Sequence, residues 1–364
     1  MDVRLDQAPA APVASTHTAW RFEGRAGEYF KIWIVNLALT IVTLGIFSAW
    51  AKVRNKRYFY GNTFIGGHSF DYHGSPWRIL LGRIIALVLL LSYSLSVNFG
   101  GPKAVAPWLL VFVIALPWLV KASLRFNARN TSYRNVRFDF HGTYGGAFKA
   151  FVVWPVVAAI SLFLTLPLAH RARDYYNINN HSFGGKNFEA VIDAGKLYGI
   201  YLLGLLFFFA AIALVGGVAV GAGIGNILAN LKPGGHAPPP AVLLPFILLV
   251  SVVYVGTILF ISTFIGTMTF NLALNSTQLA DTIMLESKLS PVAMTWIVVS
   301  NLFVVLVTLG LMYPWAHVRQ TRYMVEHLAV IGPDDLDGFV STAASQSGAI
   351  GEEVASFFDI DFGL

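Results

Sequence analysis

The sequence predicts an α-helical polytopic membrane protein with internal tandem repeats: four spanning helices, three re-entrant or interfacial helical hairpins, and short cytoplasmic β-strands. Three observations predict it. Of 364 residues, 56% are hydrophobic and 12% charged, and several apolar runs reach the length of about twenty residues that crosses a bilayer. The string TLGIFSAWAKVRNKRY at residues 43–58 returns as TLGLMYPWAHVRQTRY at 308–323, with nine of sixteen positions identical. Repetition at this level marks a duplicated structural unit. The basic residues cluster beside the apolar runs, the pattern of positive-inside topology.

Residues 1–18 are Ala/Pro-rich, carry Asp2 and Asp6, and have no apolar core, so they read as a disordered N-terminus without a cleavable signal. A first repeat covers 19–128. Within it, residues 20–24 read as a strand, 29–50 as an apolar run, and 64–74 as a second strand containing FDYHG. Residues 77–99 and 105–121 then form two spanning helices joined by a Gly-Gly-Pro loop. A shift of 118 residues matches Gly24 with Gly142, Phe30 with Phe148 and Phe70 with Phe188, which defines a second repeat over 129–275. Its spans lie near 197–221 and 242–268, around a loop containing LKPGGHAPPP, with Gly217, Gly221 and Gly225 as a small-residue ridge for helix contact. A shift of 68 residues also relates Arg57 to Arg125, Asn62 to Asn130 and Asp71 to Asp139. A partial third repeat covers 276–330. The last segment, 331–364, is acidic and reads as a flexible tail.

Charge decides the topology. Were residues 29–50 and their partners to cross the membrane, each repeat would hold three spans and one basic cluster would be exported. A turn at Thr43-Leu44-Gly45 instead leaves arms of about 13 residues, too short to cross about 30 Å of hydrocarbon. Of the 25 Lys and Arg, only Lys103 and Lys232 then lie outside, leaving 23 inside with both termini cytoplasmic.

The opening FEG…GEYFKIW (residues 22–33), both copies of the long string, and GNTF…FDYHG (residues 61–74) resemble the YjgN-like bacterial inner-membrane proteins, a domain of unknown function. The resemblance covers roughly residues 20–328. It implies a multi-pass location in the bacterial inner membrane and no assigned activity. The second copy departs from the pattern, with Trp154, Leu168 and Ala172 where the first has Asn36, Trp50 and Arg54.

Trp50, Arg54, Arg57 and Tyr58, and likewise Trp315, Arg319, Arg322 and Tyr323, are spaced i, i+4, i+7, i+8 and share one helical face. An aromatic and cationic face beside an apolar run suits lipid headgroups or a phosphorylated ligand; ordinary interfacial anchoring is the plainer explanation and the favoured one. Asn36 and Asn301 are polar groups within apolar arms, candidates for lining a pathway or for bonding a neighbouring helix, and Arg83, within an apolar span, is a candidate for lining a pathway or for snorkelling to the interface. Asp71 with His73, and Asp139 with His141, share strand faces and form a weak candidate for divalent metal if the two strands adjoin. Asn62, Asn130, Asn180 and Asn275 read as turn residues. His170 and His317, which stand where the first copy has Lys52, read as cationic surface positions.

The chain has no cysteine, and no nucleophile elbow, phosphate loop, HExxH or dinucleotide fingerprint. The reading is non-enzymatic, with no cofactor and no nucleic-acid partner. The first function is passage of a small solute or ion along a path lined by the hairpins; the alternative is a scaffold that binds membrane lipids, anionic ones included, with self-association open to either. A third, ranked last, is an intramembrane enzyme using the Asp/His strands with a metal.

Overall fold

A computed structural model describes residues 15–221, 240–333, 338, 340 and 341. Residues 1–14, residues 222–239 with Gly225, Lys232 and the LKPGGHAPPP loop up to Pro239, and nearly all of the acidic tail lie outside them.

Three chain reversals of one shape organise the shorter helices. α1 (Ala26–Val42) turns into α2 (Ser48–Gly61) through Leu44 and Gly45, whose φ angles are 51° and 93°. Gly45 N–H donates to Thr40 O at 2.7 Å, and Thr43 Oγ1 accepts from Phe47 N–H at 2.9 Å. The middle hairpin runs from α5 (Tyr144–Phe148) through a π-helical turn (Lys149–Val153) and α6 (Trp154–Ile160) to α7 (Leu166–Ile178). Its reversal has Leu162 and Phe163 at φ 51° and 65°, the bond from Phe163 N–H to Ala158 O at 2.7 Å, and Ser161 Oγ in place of the threonine. Glycine is absent there, so two side chains occupy the left-handed region that glycine enters without steric cost.

Four further helices, α3 (Pro76–Gly100), α4 (Val105–Arg129), α8 (Ala194–Gly221) and α9 (Pro240–Asn275), are long and apolar enough to cross a membrane. α8 and α9 approach closely at Gly204, where a Cβ would stand 3.0 Å from Ile265. Gly217, expected on the contact ridge, faces open space. The third hairpin, α10 (Pro291–Val307) and α11 (Tyr313–Glu326), reverses at Leu309 and Gly310, with φ 50° and 89°.

The expected fold class, a helical protein with accessory strands, is overturned by how those strands join. β1 (Ser15–Phe22), β2 (Thr63–Ile65), β3 (His68–Tyr72), β4 (Thr131–Tyr133), β5 (Val136–Phe140), β6 (His181–Phe183), β7 (Lys186–Ala190), β8 (Thr277–Leu279), β9 (Ile283–Ser287) and β10 (Leu328–Pro333) close into one antiparallel barrel. β1 begins at Ser15, earlier than the sequence suggests, and pairs with β10, Ser15 opposite Pro333. Most of the strands hold only three to five residues, near the lower limit of strand length, so local pattern does not reveal that they form a closed sheet. Closure leaves no strand edge unpaired.

A ring of equivalent hydrogen bonds ties barrel to helices. The N–H of Glu23, His73, His141, Val191 and Lys288, each just past a strand, donates to the carbonyl of Asn62, Asn130, Asn180, Ser276 and His327 at 2.8–3.0 Å. Asn62, Asn130 and Asn180 also donate from Nδ2 to the carbonyl four residues earlier, at 2.7–2.8 Å. All helix connections therefore leave one rim of the barrel, and the strand turns occupy the other. The interior is packed: Ile65, Phe70, Val136, Phe183, Leu279, Ile283, Val330 and Val340 form one buried cluster with Trp20, Tyr133 and Phe138 against it. Ring contacts of 4.9–5.4 Å, as in Phe138–Phe183 and Trp20–Phe70, contribute about 0.5–1.5 kcal/mol each beyond area burial.

The hairpins are much shorter than the spans. Trp50 packs edge-on against Trp77 at 4.9 Å and Arg83 hydrogen-bonds Ser48, so the start of α2 is level with the first two turns of α3. α3 continues to Gly100, about 25 Å further at 1.5 Å per residue. The hairpin tips are apolar and open, with Leu44, Leu162 and Leu309 94%, 83% and 93% exposed.

Candidate functional site

The two predicted aromatic and cationic faces are built alike and surrounded differently. In the first hairpin Arg54 Nη1 donates to Asn36 Oδ1 at 2.9 Å, and Asn36 Nδ2 donates to Asn55 at 3.0 Å. In the third, Arg319 Nη1 donates to Asn301 Oδ1 at 2.9 Å and to Ser300 at 2.7 Å, while Asn301 Nδ2 donates to the Ala316 carbonyl at 3.0 Å. Both asparagines are buried, and each holds a guanidinium across the two arms of its hairpin. A buried amide must be bonded to be tolerated, and here it is. The middle hairpin has Trp154 and Ala172 at these positions, so both members of the couple are lost together.

Tyr58 and Tyr323 fasten the lower ends. Tyr58 Oη accepts from Arg25 N–H at 2.7 Å and donates to Arg25 O at 2.8 Å, and Tyr323 is placed likewise on Ser290, at 2.9 and 3.3 Å. Arg57 Nε donates to Tyr72 O at 3.2 Å, and Arg322 Nη2 to Gly24 O at 2.7 Å. The two faces then diverge. Trp50 is covered by Trp77, whereas Trp315, Arg319, Arg322 and Tyr323 line a groove of about 400 Å³ with Ala26, Ile297, Val318 and Glu326. Inside it the Arg319 guanidinium stacks 5.2 Å from the Trp315 ring, an arrangement that favours a flat, fixed cation.

Arg83 hydrogen-bonds Ser48 at the start of α2. The metal expectation fails on topology, because β4 lies between β3 and β5. His73 meets Ser132 at 2.8 Å, His141 meets Ser182 at 3.1 Å, and Asp139 pairs with Arg129 at 2.9 Å. Among the described residues no three His, Asp or Glu gather as a metal set.

His317 is also not the surface cation expected. It stacks on Phe59 at 4.4 Å beside Tyr29 and Tyr313, and burial holds its pKa below the ordinary value. Sequence reading missed Lys56, which bonds Asn127 and lies 4.7 Å over the Tyr72 ring. Burial, then the nearby Lys52 charge, bring it down to about 8. His170, read as a surface cation, is instead half-buried and links Tyr201 at 2.8 Å to Asp174 at 3.3 Å. The i, i+4 spacing of His170 and Asp174 on α7 was the available signal. Glu326, the one carboxylate lining the groove, was likewise passed over.

Residues 17–357 match the model of a family described as a bacterial protein of unknown function, DUF898. The inner membrane protein YjgN of Salmonella typhimurium is 23% identical over 363 residues, covering 88% of this chain and 90% of that protein. YjgN of Escherichia coli O157:H7 is 29% identical over 141 residues, 39% of this chain and 35% of its own, and the K12 protein aligns to the same extent. No solved structure matches. With four membrane-length apolar helices and a family match over most of its length, the chain belongs to the DUF898 family and is an inner membrane protein.

Proposed function

We propose that this protein is a non-catalytic scaffold at the cytoplasmic surface of the inner membrane that binds phospholipid headgroups on the third hairpin. The groove carries the reading: Trp315, Arg319 and Arg322 converge there in a lining otherwise largely apolar. Guanidinium groups recognise phosphate, and tryptophan seats at headgroup depth. In this reading the chain is multi-pass, with four spans, three hairpins dipping apolar tips into one leaflet, and barrel and termini cytoplasmic. Recurrence of the reversal and of the rim hydrogen bonds supports treating the chain as internal repeats. Among the described residues the same arrangement leaves every Lys and Arg but Lys103 on the barrel side.

A solute path is less well supported. Asn36 and Asn301, which would have lined it, are engaged by Arg54 and Arg319, and the barrel axis is filled by side chains.

The test is lipid retention. Protein purified in mild detergent should carry phospholipid that is lost when Arg319 and Arg322 are both changed to Ala, while proteoliposomes show background ion and solute flux. Flux well above background, or retention indifferent to both arginines, overturns the proposal.

A further inference from the structure

Ala26, which lines the groove, is followed by a residue without a side chain, Gly27. Gly24 follows Phe22 out of β1 and Gly74 follows Tyr72 out of β3; at either glycine a Cβ would strike that ring at 2.5 Å. The two strand exits thus share a geometry, and three residues past each glycine stand Gly27 and Trp77. Trp77 covers Trp50 on α2. At Gly27 a Cβ would meet nothing within 4 Å, and beside it the face of α11 stays open.

The polar groups in this opening carry both signs. Arg319 is fixed through Nη1, and Arg322 is held at Gly24 O. Glu326 lies 3.9 Å from Arg322 Nε, with both side chains nearly half exposed. An ion pair this long and this exposed contributes little, so a ligand that offers each partner a better counter-charge displaces it readily. Ala26, Ile297 and Val318 complete an apolar wall.

We propose that the groove selects a phospholipid with a phosphoethanolamine headgroup: phosphate on Arg319 and Arg322, primary ammonium on Glu326, and acyl chain along Ile297 and Val318. This rests on the headgroup-binding reading above and adds its selectivity. A headgroup with no cation leaves the Glu326 carboxylate facing like charge, and a trimethylammonium has no N–H to donate to it.

The experiment offers detergent-purified protein equal amounts of phosphatidylethanolamine, phosphatidylglycerol and phosphatidylcholine of one short acyl length and reads bound lipid by native mass spectrometry. Wild type should retain the ethanolamine lipid about three- to fivefold over the others, the scale of a partly exposed charge contact. Glu326→Gln should erase that preference by lowering retained phosphatidylethanolamine to the level of the other two lipids, and Gly27→Trp should lower all three lipids together. Equal or greater retention of phosphatidylglycerol by wild type, or a preference untouched by Glu326→Gln, overturns the headgroup assignment and leaves the lipid-binding reading standing. Retention of every lipid that is unchanged when Arg319 and Arg322 are both replaced by Ala overturns both. Free phosphoethanolamine competing as well as the lipid would sink the lipid source in favour of a soluble ligand.

Discussion

Arg319 and Asn301 are joined at 2.9 Å across the two arms of one hairpin, eighteen residues apart in sequence, and Arg54 and Asn36 repeat both the distance and the separation. Each couple converts an apolar hairpin with a cationic face into a fixed object. The arginine is thereby aimed, and the asparagine is no longer an unexplained polar group in an apolar arm.

Asn301→Ala should cost about 2 kcal/mol, because it leaves a half-buried guanidinium without one acceptor and the Ala316 carbonyl without its donor. Asn301→Trp combined with Arg319→Ala copies the middle hairpin and should cost less than its single changes summed. Thermal unfolding in detergent measures the cycle; strict additivity would show that the two side chains do not act as a couple.

Phe163 occupies the position that Gly45 and Gly310 fill in the other reversals, at φ 65°. Phe163→Gly should therefore raise stability by about 1 kcal/mol, and Gly310→Ala should lower it by a similar amount. Opposite shifts in melting temperature are the expected signature.

Lys56, at about 8 against its ordinary 10.5, makes stability depend on pH with a definite sign. Between about pH 8 and 10.5 the folded chain binds fewer protons than the unfolded one, so stability rises with pH through that window. Below it both states are charged and the cost of burying the ammonium is fully felt. Tyr72, pushed up to about 12 by burial, acts in the opposite sense above pH 10. Wild type should gain stability relative to Lys56→Met from pH 7.5 to 9.5, and a flat difference across that range would contradict the shift.

The absence of native cysteine suits accessibility mapping. Lys103→Cys, between α3 and α4, should react only from the periplasmic side and Glu189→Cys, on the barrel, only from the cytoplasmic side. Leu309→Cys at a hairpin tip should resist water-soluble reagents from both. Periplasmic labelling of Glu189→Cys would reverse the proposed orientation.

Part of the candidate site was legible in advance. Trp315, Arg319, Arg322 and Tyr323 were placed on one helical face by spacing alone, because helical periodicity is local, and they line one groove. Their unlike neighbours were not legible. Trp50 meets the ring of Trp77, whereas the equivalent position past the exit of β1 is Gly27; the two belong to different helices that the sheet brings into place. The metal idea failed for the same kind of reason: which strand lies beside which is a non-local fact, and β4 separates the two Asp/His pairs.

Composition and hydropathy by themselves determined the membrane class and the four long apolar helices, because crossing hydrocarbon demands a length and a polarity that can be read one residue after another. Tertiary structure alone decided that strands of three to eight residues close into a barrel. Closure joins Ser15 to Pro333, and a strand this short gains stability only from neighbours that the chain supplies tens or hundreds of residues away.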